Sequence, residues 1–160
     1  EYFGLFDARQ VTITPDNWPV VERMAQWQSA WAMFQDKYLL GVGAGNYPWA
    51  YRPYALRDWP NPLGHAHNFY LNVAAEMGIV GLIAYFIMVL SWVGVAARRA
   101  LRSWRLAPGS ELSAAMIGCL AILLAVAIHN LFDNLYVHGM NVQMGLVLGL
   151  IATRGEHGRD

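Results

Sequence analysis

Three long stretches of the chain contain no Asp, Glu, Lys or Arg: residues 77–97, 112–132 and 134–153. A helix needs about 20 mostly apolar residues to cross the hydrocarbon core of a bilayer, and each stretch is long enough. The pattern predicts transmembrane helices at 77–97 and 112–132, and an outer turn followed by a third transmembrane helix within 133–153. The alternative, a buried helical hairpin of a soluble protein, does not account for three such runs in 160 residues.

The charged residues between and after these runs are mostly arginines, and they predict the orientation of the spans. Cytoplasmic loops of membrane proteins carry an excess of Lys and Arg. We therefore expect a cytoplasmic Arg-rich loop at 98–111, a cytoplasmic tail at 154–160 and a large outer loop at 1–76. The arginines that carry this prediction are Arg98, Arg99, Arg102, Arg105, Arg154 and Arg159.

The outer loop is predicted to contain an amphipathic helix around residues 20–38. Apolar and aromatic residues recur there at steps of three and four, which is the period of one helix face. A stripe rich in Trp and Tyr suits a helix that lies on a membrane surface or against other helices. The stripe consists of Val20, Met24, Trp27, Trp31, Phe34 and Tyr38.

Glycine and proline divide the rest of the outer loop. Gly41, Gly43 and Gly45 are expected to end the helix and to let the backbone turn sharply. The proline-rich residues 48–64 predict an irregular segment. Another helix is expected to start around His67 and to run straight into the first span.

The composition narrows the class of protein. Apolar residues make up 56% of the chain and charged residues 14%, against about 25% charged in soluble domains. Eleven cationic and eleven anionic residues leave no basic excess for nucleic acid. The single cysteine, Cys119, excludes an internal disulfide and a cysteine-based zinc site. Because the chain starts at Glu1 without a signal pattern, we expect a fragment of a larger helical bundle.

His67 is the leading candidate for chemistry, because it lies where the outer loop meets the first span. Imidazole titrates near neutral pH and can accept or donate a proton during group transfer. Asn68 and Glu76 lie on the same predicted helix as supporting polar groups. The alternative is an interfacial histidine that only hydrogen-bonds to a neighbouring loop.

His65 and His67 form a His-x-His pair, which raises a metal site as a further alternative. Such a site needs a third ligand, and His129, Asp133 and His138 are the candidates. The polar residues around 129–138 either line a functional site or form the turn between two spans. No Cys and no Glu-paired His motif accompanies the pair, so we predict no metal.

Arg23 precedes Trp27 by one helical turn and therefore lies beside the aromatic stripe. A guanidinium at this level suits a phosphate or diphosphate, and lipid headgroups explain it equally well. The Gly-x-Gly-x-Gly run at 41–45 is not a nucleotide loop, because no strand precedes it and no Lys-Ser or Lys-Thr follows.

These features occur in a fixed order over about sixty residues, from the arginine of the predicted helix, through the glycine run, to the histidine and the start of the first span. In this pattern the chain resembles the carboxy-terminal part of the O-antigen ligase and O-antigen polymerase family. The matching positions are Arg23, Trp27, Ala30, Met33, Asp36, Leu39, Leu40, Gly41, Val42, Gly43, Asn46, His67, Asn68, Leu71, Glu76, Gly78, Gly81 and Leu82.

The resemblance implies a polytopic, metal-independent membrane glycosyltransferase without a cofactor, of which the last three helices are present here. Its members take a glycan from an undecaprenyl-diphosphate carrier at the outer, periplasmic face of the bacterial cytoplasmic membrane. Ligases pass the glycan to a lipid-A core sugar, and polymerases pass it to the next repeat unit; the sequence does not separate the two. The resemblance further implies that His67 is catalytic and that Arg23 binds the diphosphate, with Arg52 or Arg57 sharing or replacing that role.

Two other classes of protein are compatible with the sequence. In a transporter or flippase fragment, the polar residues at 129–138 line a pathway, although transporters usually keep their outer loops short. A membrane-anchored binding module without chemistry is the third possibility, and it predicts only mild effects of substitutions at Arg23 and His67.

Overall fold

The computed structural model describes residues 7–153, and all regular structure in that range is helical. This agrees with the predicted all-α class. The described residues form two compact units: residues up to Tyr85 with His129–Asn134, and Phe86–Ile128 with residues from Leu135 onward. The helices are α1 (Trp18–Asp36), α2 (Tyr47–Ala50), a 3-10 turn (Arg52–Tyr54), α3 (Phe69–Leu106), α4 (Glu111–His129) and α5 (Met140–Ala152).

Helix α1 corresponds to the amphipathic helix expected around 20–38. Pro19 lies in its first turn, where a missing N–H is tolerated, and the Lys37 N–H closes its end on the Met33 carbonyl. Its apolar residues pack into two small cores of the first unit. One core contains Ala30, Met33, Tyr47, Tyr51, Ala66 and Ala75, and the other Ala8, Val21, Met24, Ala25 and Trp59.

The predicted stripe on α1 is buried only in part. Met24 and Phe34 are buried, Trp27 and Trp31 are half-buried, and Val20 is exposed. Tyr38, the last residue of the stripe, lies beyond the end of the helix and is exposed as well. The two half-buried indoles therefore remain partly open to a ligand or a neighbouring surface.

The glycine run after α1 crosses the chain of α3 at backbone contact. The N–H of Val42 donates to the Ala75 carbonyl at 2.9 Å, and the N–H of Ile79 donates to the Tyr38 carbonyl at 2.9 Å. A Cβ atom at Gly41 would lie 2.3 Å from the carbonyl carbon of Glu76.

Gly78 makes the reciprocal close approach from the α3 side. A Cβ atom there would lie 2.4 Å from the carbonyl carbon of Leu39. Its φ of 64° and ψ of −164° break the helical geometry. The sequence predicts a helix that runs straight from His67 into the first span. The helix instead begins at Phe69 and is interrupted at Gly78, because backbone groups of α3 are hydrogen-bonded to the crossing segment.

Helices α3 and α4 have the length and composition of membrane spans, with a mean hydropathy of 2.4 and 2.3 in their most apolar windows. Only 11% of the residues in the most apolar stretch of α3, and 28% of those in α4, are buried within the structure. Both helices therefore leave most of their apolar surface to be covered by lipid or by other helices. The expected third span is represented by α5, which has 13 residues. At 1.5 Å per residue it is about 20 Å long, less than the ~30 Å hydrocarbon core.

The start of α5 explains its shortness. His138 and Gly139 both have left-handed backbones, with φ of 51° and 82°. This turn keeps residues 133–139 of the expected segment outside the helix, whereas Asn141 and Gln143 lie in its first turn. The region 98–111, expected as a loop, is helical as far as Leu106, because no helix breaker occurs before Pro108 and Gly109. Of the two cytoplasmic segments predicted from arginines, the tail at 154–160 lies outside the described residues.

The second unit has its own apolar core. The residues buried in it are Ala96, Cys119, Leu123, Val126, Met144 and Ile151. Arg99, one of the arginines of the predicted cytoplasmic side, donates from its guanidinium to the carbonyls of Thr153 and Ala152, at the C-terminal end of α5. This charge at the negative end of a helix dipole favours the packing of α3 on α5.

Candidate functional site

The backbone of His67 is held in an unusual conformation just before α3. Its φ of 50° lies in the left-handed region, which costs of order 1–3 kcal/mol for a residue other than glycine. The surrounding groups fix it there: the His67 N–H donates to Nδ1 of His65 at 3.2 Å, and its carbonyl accepts from Nε1 of Trp27 at 2.9 Å. The imidazole is thus aimed by contacts from both α1 and the preceding loop.

Asp133 hydrogen-bonds to the imidazole of His67. Oδ1 of Asp133 lies 3.0 Å from Nδ1 of His67, across 66 residues of sequence. An ionised carboxylate can only accept a hydrogen bond, so in the neutral ring Nδ1 carries the proton and Nε2 carries the lone pair. Within residues 7–153, Nε2 has no hydrogen-bond partner. This is the arrangement of a general base whose tautomer is set by a carboxylate.

The surroundings of Asp133 keep its carboxyl ionised. Burial by itself raises the pKa of Asp133, but the Asn134 N–H, the bond to His67 and the charge of Arg23 together lower that pKa below its ordinary value. The Asn134 N–H donates to Oδ1 at 2.8 Å. Nη2 of Arg23 lies 3.5 Å from Oδ2, with 46% of the arginine side chain exposed. Arg23 therefore pairs only weakly with Asp133 and retains donors for another anion.

Asn68 joins the turn that carries Asp133 to the start of α3. Its Oδ1 accepts the Leu71 N–H at 3.0 Å, which is an N-cap, and its Nδ2 donates to the Leu131 carbonyl at 2.7 Å. The Phe69 N–H donates to the Asn130 carbonyl at 2.9 Å. These bonds fix the position of Asp133 relative to His67.

His65 serves His67 through its ring nitrogen. Burial lowers the pKa of His65 and the neighbouring His67 lowers it further, while Asp133 acts in the opposite direction. The net lowering favours the neutral ring, which is the form that can accept the His67 N–H at Nδ1. The ring centroids of the two histidines are 4.4 Å apart.

The candidate metal ligands can be compared with this geometry. His65, His67 and Asp133 each offer an atom within 4.8 Å of the others, so Asp133 is the third residue that joins the His-x-His pair in the described part of the chain. Nδ1 of each histidine is already hydrogen-bonded, one to a backbone N–H and one to the carboxylate. A cation bound to these two Nδ1 atoms would have to displace both hydrogen bonds.

Glu76 contacts a different part of the first unit. Its two carboxylate oxygens accept the N–H groups of Gly45 and Tyr47 at 2.9 and 3.0 Å. Glu76 therefore fastens the glycine run to α3 and is not among the residues that contact His67. Arg52 and Arg57 are exposed, and their side chains form no ion pair within residues 7–153.

Two participants in this site carry no catalytic role in the sequence-based prediction. Asp133 appears there only as a candidate third metal ligand and as a polar residue of a turn, and Trp27 only as part of the aromatic stripe and of the family pattern. Nothing local marks either one, because the partner of each lies 66 or 40 residues away. An Asp directly after a long uncharged run is the one signal that could have singled out Asp133.

Comparison with known proteins yields two similarities. A family model described as O-antigen ligase matches residues 3–86, just over half of the chain. The teichuronic acid biosynthesis protein TuaE of Bacillus subtilis (strain 168) is 33% identical over 75 residues, which is 46% of this chain and 15% of that protein. The chain thus spans only a small part of the length of this curated relative.

Proposed function

This chain belongs to the O-antigen ligase family, and we propose that it carries part of the active site of a membrane glycosyltransferase in polysaccharide biosynthesis. The donor is a glycan on an undecaprenyl diphosphate, and the acceptor is a hydroxyl of a lipid-A core sugar or of another glycan chain. The reaction takes place at the outer face of the bacterial cytoplasmic membrane. The 3.0 Å contact between His67 Nδ1 and Asp133 Oδ1 carries the proposal.

The proposed reaction is a single displacement at the anomeric carbon of the donor. Nε2 of His67 takes the proton of the acceptor hydroxyl while the acceptor oxygen forms its bond to that carbon. The bond from the anomeric carbon to the diphosphate oxygen breaks, and the lipid diphosphate leaves with the electron pair. Asp133 stabilises the imidazolium that forms on His67, because it remains an anion next to Nδ1.

Arg23 is proposed to meet the charge on the leaving diphosphate. Its side chain is 46% exposed and only loosely paired with Asp133, so its guanidinium can turn toward a phosphate. Arg52 and Arg57 are exposed on the same unit and can share this role. The role of the relative in teichuronic acid biosynthesis supports a polysaccharide as the product.

The transporter alternative is less well supported by the contacts at 129–134. This turn holds Asp133 against a histidine whose backbone is fixed by two further hydrogen bonds. A histidine that is fixed in this way is suited to proton transfer in a chemical reaction. The ordered outer segment, with two cores of its own, likewise supports a transferase.

The first test is His67→Ala in the full-length protein. Loss of the base is expected to reduce glycan transfer at least about 100-fold, with normal amounts of protein in the membrane. His138→Ala is the matched control: this histidine also has a left-handed backbone, is exposed, and is not among the residues that contact His67. The measurement is transfer from a lipid-diphosphate donor by purified enzyme.

Near-normal transfer by His67→Ala would contradict the assignment. The same assay with a chelator tests the metal alternative, because a catalytic cation at His65, His67 and Asp133 would make transfer sensitive to EDTA. We expect EDTA to leave the rate unchanged.

A further inference from the structure

The first unit contains a cavity of about 400 Å³, which is lined in part by Trp27, the residue that contacts the backbone of His67. This volume falls within the range of roughly 300–1,000 Å³ that is usual for small-molecule sites. Its walls include residues of α1, of the first turn of α3 and of the loop after the 3-10 turn. The residues used below are Arg9, Trp27, Gln28, Trp31, Gln35 and Tyr54.

From this cavity we infer a binding subsite for a pyranose ring of the acceptor glycan, an inference that rests on the proposed function. Trp27 and Trp31 lie one helical turn apart on the same face of α1, and both line the cavity. Both are half-buried, so part of the surface of each indole is exposed. Flat aromatic faces match the apolar C–H faces of a sugar ring.

The polar groups of the cavity distinguish a sugar from a lipid tail. Gln35 is exposed, and its amide makes no hydrogen bond within residues 7–153, so its donors and acceptor are available. Arg9 and Gln28 are oriented by Asp7, and Tyr54 by Asp36. Gln35 and Arg9 are exposed, so water hydrates these groups in the free protein, and a hydrocarbon chain offers them no hydrogen bond. A ring that carries hydroxyl groups satisfies them.

The position of the cavity favours the acceptor as its occupant. Trp27 lines the cavity, and its Nε1 donates to the His67 carbonyl at 2.9 Å, so a sugar on Trp27 contacts a side chain that is itself in contact with His67. All α1 residues that line the cavity follow Arg23 in sequence, and the helix extends about 12 Å from Arg23 to Trp31. In a displacement reaction the attacking oxygen and the leaving group lie on opposite sides of the carbon. With the diphosphate at Arg23, a cavity that lies further along α1 is available to the acceptor.

The test uses the full-length enzyme with His67→Ala, which is expected not to transfer glycan. The detergent is zwitterionic, because maltoside detergents themselves contain pyranose rings. The probes are methyl α- and β-pyranosides of glucose, galactose, mannose and N-acetylglucosamine, and geranylgeraniol as an isoprenoid. Saturation-transfer NMR and tryptophan fluorescence report binding. We expect at least one pyranoside to bind, and Trp31→Ala to weaken that binding about fivefold or more.

Two further variants separate a binding role from a folding role. Gln35→Ala is at an exposed position at the end of α1 and is expected to weaken binding without lowering the unfolding temperature. Trp49→Ala is the matched control, because Trp49 is 85% exposed and outside the cavity. Its affinity is expected to stay within about twofold of the parent.

The outcomes are separable. The inference is overturned in favour of a lipid site if geranylgeraniol binds, if Trp31→Ala and Gln35→Ala weaken that binding, and if no pyranoside binds. It is also overturned if every pyranoside fails to bind. In enzyme with His67 intact, Trp31→Ala is expected to raise KM for the acceptor and to leave KM for the lipid-linked donor unchanged. A rise in the donor KM alone overturns the acceptor assignment. If the intact enzyme transfers no glycan yet binds the pyranoside, the proposed function fails and the sugar site stands.

Discussion

At the scale of single residues, the site depends on how completely His67 is constrained. Its N–H, its carbonyl and its Nδ1 each have a partner, supplied respectively by His65, Trp27 and Asp133. These three bonds offset the strain of a left-handed histidine and leave Nε2 as the one polar atom of this residue without a partner within residues 7–153. Preorganisation of this kind would lower the cost of orienting the proposed base.

Asp133→Asn tests the positioning role of the carboxylate. The amide has nearly the same shape but no charge, so it stabilises neither the Nδ1–H tautomer nor the imidazolium as well. We expect kcat to fall about 100-fold with KM for the acceptor unchanged. Combined with His67→Ala, it should cause little further loss, because the two residues act as one unit. Asp58→Asn, at an exposed aspartate of the same unit, is the control.

The pH profile adds an independent readout for Asp133. Its pKa is lowered in the folded protein, so the stabilisation from its ionised form is complete above the ordinary carboxyl pKa near 3.9 and is lost as pH falls through the lowered value. Between about pH 5 and pH 9 the wild-type rate should therefore show no titration of this carboxyl. A D133N enzyme with the rate and pH profile of the wild type would exclude the positioning role.

At the scale of elements, the crossing of the glycine run with α3 organises the first unit. Gly41 and Gly78 each place a backbone where a side chain would otherwise be, and Glu76 fastens the same segment through two N–H groups. The crossing links the end of α1 to α3, the helix that follows His67 directly. Its integrity therefore affects the position of both Arg23 and the base.

Alanine substitutions distinguish close packing from backbone strain at these glycines. Gly41→Ala and Gly78→Ala each introduce a Cβ atom 2.3–2.4 Å from backbone carbon atoms and should lower the free energy of unfolding by about 3 kcal/mol or more. Gly45→Ala is the control: its φ is +75°, but nothing lies within 4 Å of an added Cβ. It should cost only about 1 kcal/mol, from the left-handed backbone. Thermal unfolding and resistance to protease measure the difference. Equal destabilisation by Gly41→Ala and Gly45→Ala would contradict the close backbone contact at Gly41.

Helix periodicity and glycine content account for what the sequence predicts at this scale. The period of apolar residues places α1 within two residues of its observed ends, and the glycines at 41–45 indicate the turn that follows. Gly78 is not recognisable in the same way, because a glycine within an apolar helical run is compatible with a continuous helix. Its role depends on a segment almost forty residues earlier, just as the site depends on the pairing of His67 with Asp133.

At the scale of the whole molecule, the apolar surface of α3 needs a cover that the described chain does not supply. Val80, Ile83, Ile87 and Leu90 are each more than half exposed. Lipid and further helices are the two candidates, and the relative is long enough to supply further helices, since the matched part is 15% of its length. Family membership and these exposed spans together support a membrane protein.

The orientation of the chain in the membrane decides whether the site can meet an outward-facing lipid-linked donor. The arginines near the end of α3 predict that this end is cytoplasmic and that the outer loop faces away from the cytoplasm. Asn61→Cys and Ala107→Cys, both exposed positions, test this in a full-length, cysteine-free background that includes Cys119→Ala. In intact cells with a permeabilised outer envelope, a membrane-impermeant maleimide should label the cysteine at 61 and spare that at 107; lysis should expose both. The reverse pattern would place His67 on the cytoplasmic side, where the proposed transfer to an outer acceptor is impossible.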